Sequence, residues 1–243
     1  MDKLKELQDV IDRSQNIVFF GGAGVSTESN IPDFRSSDGV YSVTLGRHFT
    51  AEQLVSHTMF ERYPEDFFDF YKKYLIYPDA KPNAAHRYLA WLEQTGKLKA
   101  VVTQNIDCLH EMAGSKKVLK LHGSADRNYC TGCQRFYDLE AFLALAGTIP
   151  HCLDCGKVVK PDVTLYEEPL DMDVFSQAAR SIQEADLLII GGTSLVVYPA
   201  ASLIQYFQGK NLVVINKTSI LQDKQADLVI EGKIGQVFSK LRQ

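Results

Sequence analysis

The stretch Ile17-Val18-Phe19-Phe20-Gly21-Gly22-Ala23-Gly24-Val25-Ser26 decides the fold. Four apolar residues, three of them β-branched or aromatic before the second Phe, are too few for a helix and suit a strand buried on both faces. Gly22-Ala23-Gly24 then supplies a tight turn. A glycine-rich turn at the C-terminal end of a buried strand is where a doubly wound sheet holds phosphate. The third glycine of the dinucleotide fingerprint is missing, and Thr27 takes its place. No Lys-Ser/Thr follows, which excludes a P-loop. A strand-to-helix turn with no ligand is the competing reading.

Outward from this stretch, strand and helix alternate. Leu4, Leu7, Val10 and Ile11 recur at helical spacing, so residues 2–14 are expected to form an amphipathic helix. Helices are likewise expected over 83–95, 173–184, 199–207 and 234–241, and strands over 100–103, 118–121, 187–190, 212–215 and 228–230. Apolar strands alternating with helices imply a parallel sheet covered on both faces. Two segments interrupt it. Residues 33–80 are rich in aromatics (Phe49, Phe60, Phe67, Phe68, Phe70, Tyr71, Tyr74) and short on strand signals, an insert of short helices and loops. Residues 125–160 contain paired cysteines.

Those cysteines are Cys130-Thr-Gly-Cys133 and, eighteen residues on, Cys152-Leu-Asp-Cys155. Two such knuckles match a four-thiolate zinc site, with Gly132 and Gly156 easing the turns. Four thiolates fill the tetrahedral shell and leave no open position, so one structural Zn2+ per chain is expected. Redox dithiols or plain buried cysteines are the alternatives, and His151 stands beside Cys152 as a spare ligand. The fifth cysteine, Cys108, stands alone. An odd count with no secretory signal argues against a disulfide framework.

The 243 residues carry 45% hydrophobic and 23% charged side chains and a net charge of −4. This is an ordinary globular composition, and it excludes a generally basic nucleic-acid binder. No apolar run approaches the ~20 residues of a membrane span. The charged, amphipathic N-terminus is no signal peptide, and a cytoplasmic location is the default expectation.

Polar residues gather at the expected strand tips: Gln104-Asn105-Ile106-Asp107, Gly192-Thr193-Ser194 and Asn216. Ligands of doubly wound sheets bind there. His122 ends a strand before Gly123, placed either as a satisfied structural residue or as a general base. Arg35 is a surface cation or a phosphate clamp, and Phe34 a core residue or a stacking lid.

Read together, Gly22-Ala23-Gly24-Val25-Ser26, Ile31-Pro32-Asp33-Phe34-Arg35, Thr103-Gln104-Asn105-Ile106-Asp107, Leu109-His110, His122-Gly123, the four cysteines and Gly192-Thr193-Ser194-Leu195 resemble a sirtuin of the bacterial type, an NAD-dependent protein deacylase. The resemblance covers nearly the whole chain. It implies an α/β fold: a Rossmann-like parallel sheet domain (1–32, 83–124 and 161–243), a helical insert with a cofactor-binding loop (33–82) and a small zinc-ribbon module (125–160). It implies that Ala23, Thr27, Phe34 and Arg35 line the NAD site. Gln104 and His122 would approach the nicotinamide ribose, and Asn105, Ile106 and Asp107 would take the carboxamide. Thr193, Ser194 and Asn216 would hold the adenosine half, with Lys233 and Ile234 near the adenine.

The implied reaction consumes NAD as co-substrate, deacetylates lysine on partner proteins, and releases nicotinamide and O-acetyl-ADP-ribose. His122 would be the base and Asn105 would orient a water. Mono-ADP-ribosyl transfer to protein, or a non-catalytic NAD sensor or scaffold, are the alternatives.

Two departures from the family pattern stand out. Asn30 replaces a glycine, which should alter a loop and spare the chemistry. Thr164-Leu165-Tyr166-Glu167-Glu168 replaces a Val-x-Phe-Gly-Glu substrate strand. Relatives that remove acidic acyl groups carry Tyr-x-x-Arg, whereas Tyr71-Lys72-Lys73-Tyr74 lacks the arginine. Uncharged acyl groups are expected, unless Lys72 or Lys73 substitutes.

Overall fold

The computed structural model describes residues 2–34, 39–40 and 49–242. Helices are α1 (Lys3–Arg13), α2 (Ala51–Leu54), α3 (His57–Arg62), α4 (Pro64–Tyr74), α5 (Ala84–Gln94), α6 (Leu109–Met112), α7 (Leu139–Leu143), α8 (Met172–Gln183) and α9 (Ile234–Phe238). Strands are β1 (Ile17–Gly21), β2 (Leu98–Thr103), β3 (Val118–Lys120), β4 (Gly123–Cys130), β5 (Phe136–Tyr137), β6 (Val159–Val163), β7 (Leu187–Gly191), β8 (Asn211–Asn216) and β9 (Leu228–Glu231). No helix among the described residues is long and apolar enough to cross a membrane.

Six strands form one sheet in the order β3-β2-β1-β7-β8-β9, and every neighbouring pair is parallel. The two middle strands are buried end to end. Because strand side chains alternate, each strand feeds two cores. Ile17 and Phe19, Leu187 and Ile189, Val213 and Ile215 pack with α1, α5 and α9 residues such as Leu7, Leu89 and Phe238. Val18 and Phe20, Leu188 and Ile190, Leu212 and Val214 pack on the opposite face with Ala178, Ile182 and Leu203.

Local signals set the helix ends. The Asp2 carboxylate accepts from Leu4 N at 3.0 Å and starts α1. Pro64 starts α4. Gly96, at φ +76°, takes the left-handed turn after α5.

A second, three-stranded antiparallel sheet has the order β5-β4-β6. Its apolar side and the helices α2–α4 share one core, in which Phe60, Phe67, Phe68 and Tyr71 meet Phe142, Tyr137 and Val159. Edge-to-face aromatic pairs hold it, such as Phe67–Phe68 at 5.0 Å and 83°.

Several expectations shift. Residues 200–206, expected as part of an α-helix over 199–207, form a 3-10 helix (Ala200–Tyr206) that still buries Ala200, Ala201, Leu203 and Ile204. The last helix stops at Phe238 rather than 241. Thr164–Glu168, which stands in place of a substrate strand, is not a regular strand: β6 ends at Val163, and beyond it Tyr166 makes a bridge to Ser56.

Candidate active site

The strand order reverses direction of growth between β1 and β7, so a crevice opens beyond their C-terminal ends. Gly21 and Gly191 lie side by side there. The chain leaves β1 through two 3-10 turns, Ala23–Val25 and Thr27–Ser29, and no α-helix follows. Gly24 N donates to Gly192 O at 2.8 Å. A Cβ on Gly24 would stand 2.7 Å from Gly192 Cα, so neither backbone could make this approach with a side chain at position 24. Asn30 sits at φ 64°, a left-handed conformation that asparagine tolerates better than most residues. This lets asparagine stand where the family resemblance leads one to expect glycine. Asn83 ties the turn to α5: its Nδ2 donates to Val25 O at 2.8 Å and Ser29 Oγ at 3.0 Å, while its Oδ1 caps Ala85 N.

Beyond β2, Gln104–Asp107 turn back toward this loop. Ser26 Oγ donates to Asp107 Oδ2 at 2.8 Å and accepts from Asn105 Nδ2 at 3.0 Å. Leu109 N donates to Asp107 Oδ1 at 3.1 Å. Burial pushes the Asp107 carboxyl up from the usual range, and the donors from Leu109 and Ser26 pull it back. Ile106 O accepts from Ala125 N, which fixes that peptide against β4. Ser26 was not singled out from the sequence, since its partners lie 79 and 81 residues away.

His122 Nδ1 stands 2.9 Å from Gln104 O. A carbonyl only accepts, so Nδ1 carries the proton and Nε2 keeps its lone pair. Burial holds the imidazole pKa below its ordinary value, against the opposing pull of that hydrogen bond. The ring is therefore neutral at pH 7. Gln104 Oε1 accepts from Thr193 Oγ1 at 3.0 Å, and Asn216 Nδ2 donates to Thr193 O at 2.8 Å. Gln104 Nε2 is buried and has no partner among the described residues.

One cavity of about 1310 Å³ gathers these groups. Ala23, Thr27, Phe34, Gln104, Asn105, Ile106, Asp107, His122, Thr193, Ser194, Asn216 and Lys233 all line it. Arg35 lies outside the described residues. The volume exceeds the roughly 300–1,000 Å³ of an ordinary small-molecule site, which leaves space for a dinucleotide and a second substrate. The glycine approach and the unpaired Gln104 amide fit a ligand rich in hydroxyl and phosphate oxygens.

The four cysteine sulfurs of the small sheet lie within 4.8 Å of one another. Two of the separations are 3.3 Å (Cys130–Cys155) and 3.6 Å (Cys133–Cys152), too long for disulfides. A tetrahedral Zn–S shell of 2.3 Å radius puts sulfurs about 3.8 Å apart, so the cluster fits zinc. Gly132 N and Cys133 N point at Cys130 Sγ. Tyr137 donates its hydroxyl to Cys152 Sγ at 3.3 Å, which with backbone donors lowers that thiol to about 6.

The segment 164–168 runs along the cavity edge. Tyr166 pairs with the chain before α3 through Tyr166 N to Val55 O and His57 N to Tyr166 O. Glu167 holds φ 76°, and its carboxylate accepts from Thr58 N and Oγ1. Glu168 accepts from Leu165 N and pairs with His57 and Lys160. Tyr71 and Tyr74 line the cavity. Lys72 is turned away: its ammonium donates to Gly147 O and Thr148 O, 3.2 and 2.9 Å off. Lys73 lies over the Tyr74 ring at 5.2 Å.

Known proteins share this arrangement. The family model described as Sir2 family matches residues 22–199. A Clostridium perfringens protein named NAD-dependent protein deacetylase is 62% identical over 241 residues, covering 99% of this chain and 98% of its own. A Clostridium acetobutylicum protein of the same name is 56% identical over 238 residues, covering 98% and 97%. Among solved structures, a Sir2 histidine-to-alanine variant with deacetylated p53 peptide and 3′-O-acetyl ADP ribose superimposes with TM-score 0.89 at 36% identity, covering 97% of this chain and 96% of that one. Sir2 with p53 peptide and NAD+ gives TM-score 0.86 at 37% identity, covering 98% and 96%. With a matching family model, close relatives along its full length and the same fold around the same crevice, the chain belongs to the Sir2 family.

Proposed function

We propose that this protein is an NAD-dependent protein lysine deacetylase that transfers the acetyl group to ADP-ribose and releases nicotinamide. The observation that carries the reading is His122, a neutral buried imidazole on the cavity wall with Nδ1–H fixed on Gln104 O and Nε2 left as a proton acceptor. NAD supplies a ribose carbon bonded to a leaving nicotinamide. Asn105, Ile106 and Asp107 are assigned to its carboxamide, and their coupling through Ser26 supports one rigid pocket. Gln104 serves the adjoining ribose. Ala23, Thr27, Phe34 and Arg35 are assigned along the dinucleotide. Thr193, Ser194, Asn216 and Lys233 are assigned to the adenosine half. His122 takes a proton from a ribose hydroxyl as that oxygen captures the acyl carbon, and Asn105 orients the water that completes release of lysine.

Cys130, Cys133, Cys152 and Cys155 hold a structural zinc in this reading. Thiols this close must stay reduced, which supports a reducing compartment such as the cytoplasm. The chain divides into the sheet domain, the helical insert at 33–82 and the zinc module at 125–160, the last two serving together as the second wall of the cleft. Their shared core supports that pairing.

The test is incubation with NAD and an acetyl-lysine peptide, followed by mass spectrometry. Loss of acetyl with stoichiometric nicotinamide and O-acetyl-ADP-ribose is expected. Gain of ADP-ribose on the peptide would mark a transferase instead, and NAD binding without turnover a sensor.

A further inference from the structure

The short helix α9 has no cap of its own. Lys233 stands at its N-cap and makes no side-chain bond to the first turn, and that turn holds no acidic residue. The free N–H groups at a helix start need an acceptor. Gly235 N finds one 207 residues away: it donates to Glu28 Oε2 at 2.6 Å. A carboxylate suits the place, because it faces the positive end of the helix dipole. The fit is close. Gly235 is buried, and a Cβ on it would stand 2.6 Å from Glu28 Oε2 and 2.9 Å from Glu28 Cδ. A serine or aspartate at 233 would cap α9 locally. Lysine at that position leaves the cap to Glu28 and faces the cavity instead.

This contact joins parts of the sheet that lie far apart. Glu28 belongs to the Thr27–Ser29 turn after β1, and α9 follows β9. β7 and β8 stand between β1 and β9, so at about 4.8 Å per strand the two elements spring from points about 14 Å apart. The bridge therefore spans the tips of β7 and β8. Beneath it Ile234 packs on Gly191, where a Cβ would be 2.3 Å from Ile234 Cδ1. Both ends of the bridge adjoin the cavity, through Thr27 on one side and Lys233 and Ile234 on the other. Glu28 lies behind this wall and does not line it.

Building on the NAD site proposed above, we propose that Glu28 is a positioning residue for the adenosine half of the cofactor. Its carboxylate sets the gap between the Thr27 turn and the Lys233–Ile234 corner, and so the width of the slot that the adenosine enters. It touches neither NAD nor the reacting atoms, and the chemical step does not depend on it.

The experiment is calorimetric binding of ADP-ribose, which carries the adenosine half without nicotinamide, together with kcat and KM on an acetyl-lysine peptide. Glu28→Ala should weaken ADP-ribose binding and raise KM for NAD, each about tenfold, the weight of one hydrogen bond to a charged group. Its kcat and its inhibition by nicotinamide should stay as in the wild type. Glu28→Gln, which keeps an acceptor, should stay within about threefold of wild type. Gly235→Ala pushes only the movable carboxylate aside, so it should copy Glu28→Ala, and the double variant should be no worse than either. If Glu28→Ala fails to fold, Gly235→Ala decides alone. A purely structural role predicts lower melting temperatures with ADP-ribose affinity and KM unchanged, and that result overturns the proposal. Additive losses in the double variant overturn it too. Wild-type protein that binds ADP-ribose yet turns over no acetyl peptide sinks the deacetylase reading alone, since the affinity shift is read without turnover. Absence of ADP-ribose binding in the wild type overturns both.

Discussion

In the proposed reaction two residues act in different ways. His122 must be neutral to accept a proton, and its pKa lies below the ordinary 6.5 or so. Activity should therefore rise with pH along an acid limb that inflects below about 6.5, and be level by neutrality. A pH profile of kcat/KM checks this, and an inflection above 6.5 would contradict it. His122→Ala should lower kcat/KM by about 10²-fold or more while the circular dichroism spectrum stays unchanged. Ser26 takes no part in proton transfer. It bridges the Asn105 amide and the Asp107 carboxylate. Ser26→Ala would leave buried polar atoms of both side chains short of a partner, at about 1–3 kcal/mol. The expected results are a lower melting temperature and a raised KM for NAD. An unchanged KM would show that the bridge does not set the pocket.

At the level of elements, the small sheet is expected to depend on a metal held by its four cysteines. β4 meets β5 only at Asn128–Tyr137 and Tyr129–Phe136, and the two knuckles close the ends of the sheet. Chelation should abolish activity and the protection of β4 amides in hydrogen exchange, while β1 and β7 amides stay protected. Retained activity in zinc-free protein would show that the metal does not hold this wall of the cleft in place. These elements also show what the sequence discloses. β1, β7 and β8 read directly, because strands buried on both faces are unbroken apolar runs. β4 did not read as a strand. Gly123-Ser124-Ala125-Asp126-Arg127-Asn128 is largely polar, its register shifts between Ser124 and Asn128, and Asn128 is fully buried, its Nδ2 donating to Ala125 O and, across the sheet, to Tyr137 O while its Oδ1 has no partner among the described residues. A donation across the sheet leaves no local pattern. The bridging role of Ser26 is illegible in the sequence for the same reason, whereas the cysteine knuckles, with their short fixed spacing, are plain.

The stability of the whole molecule has an acid limit built into α5 and α6. His86 and His110 are buried with ring centroids 4.7 Å apart. Asn83 N donates to His86 Nδ1, so His86 is held neutral, and burial brings it down to about 4. His110 is lowered as well, by burial first and then by His86. Unfolded, both bind protons near pH 6.5. Between about 6.5 and 4 the unfolded chain thus holds more protons than the folded one, and stability falls as the pH drops, by about 3 kcal/mol for His86 alone. Urea midpoints across that range check this, and a His86→Gln variant should flatten the slope. The joint core of α2–α4 and the small sheet has a different consequence, in time. Phe67, Phe68 and Tyr71 leave the ribosome long before their partners Phe142, Val159 and Leu165. At ordinary synthesis rates that interval is about 5 to 20 seconds. During it an aromatic helix face waits uncovered, a span in which a chaperone finds its binding site and a truncated chain finds others like itself.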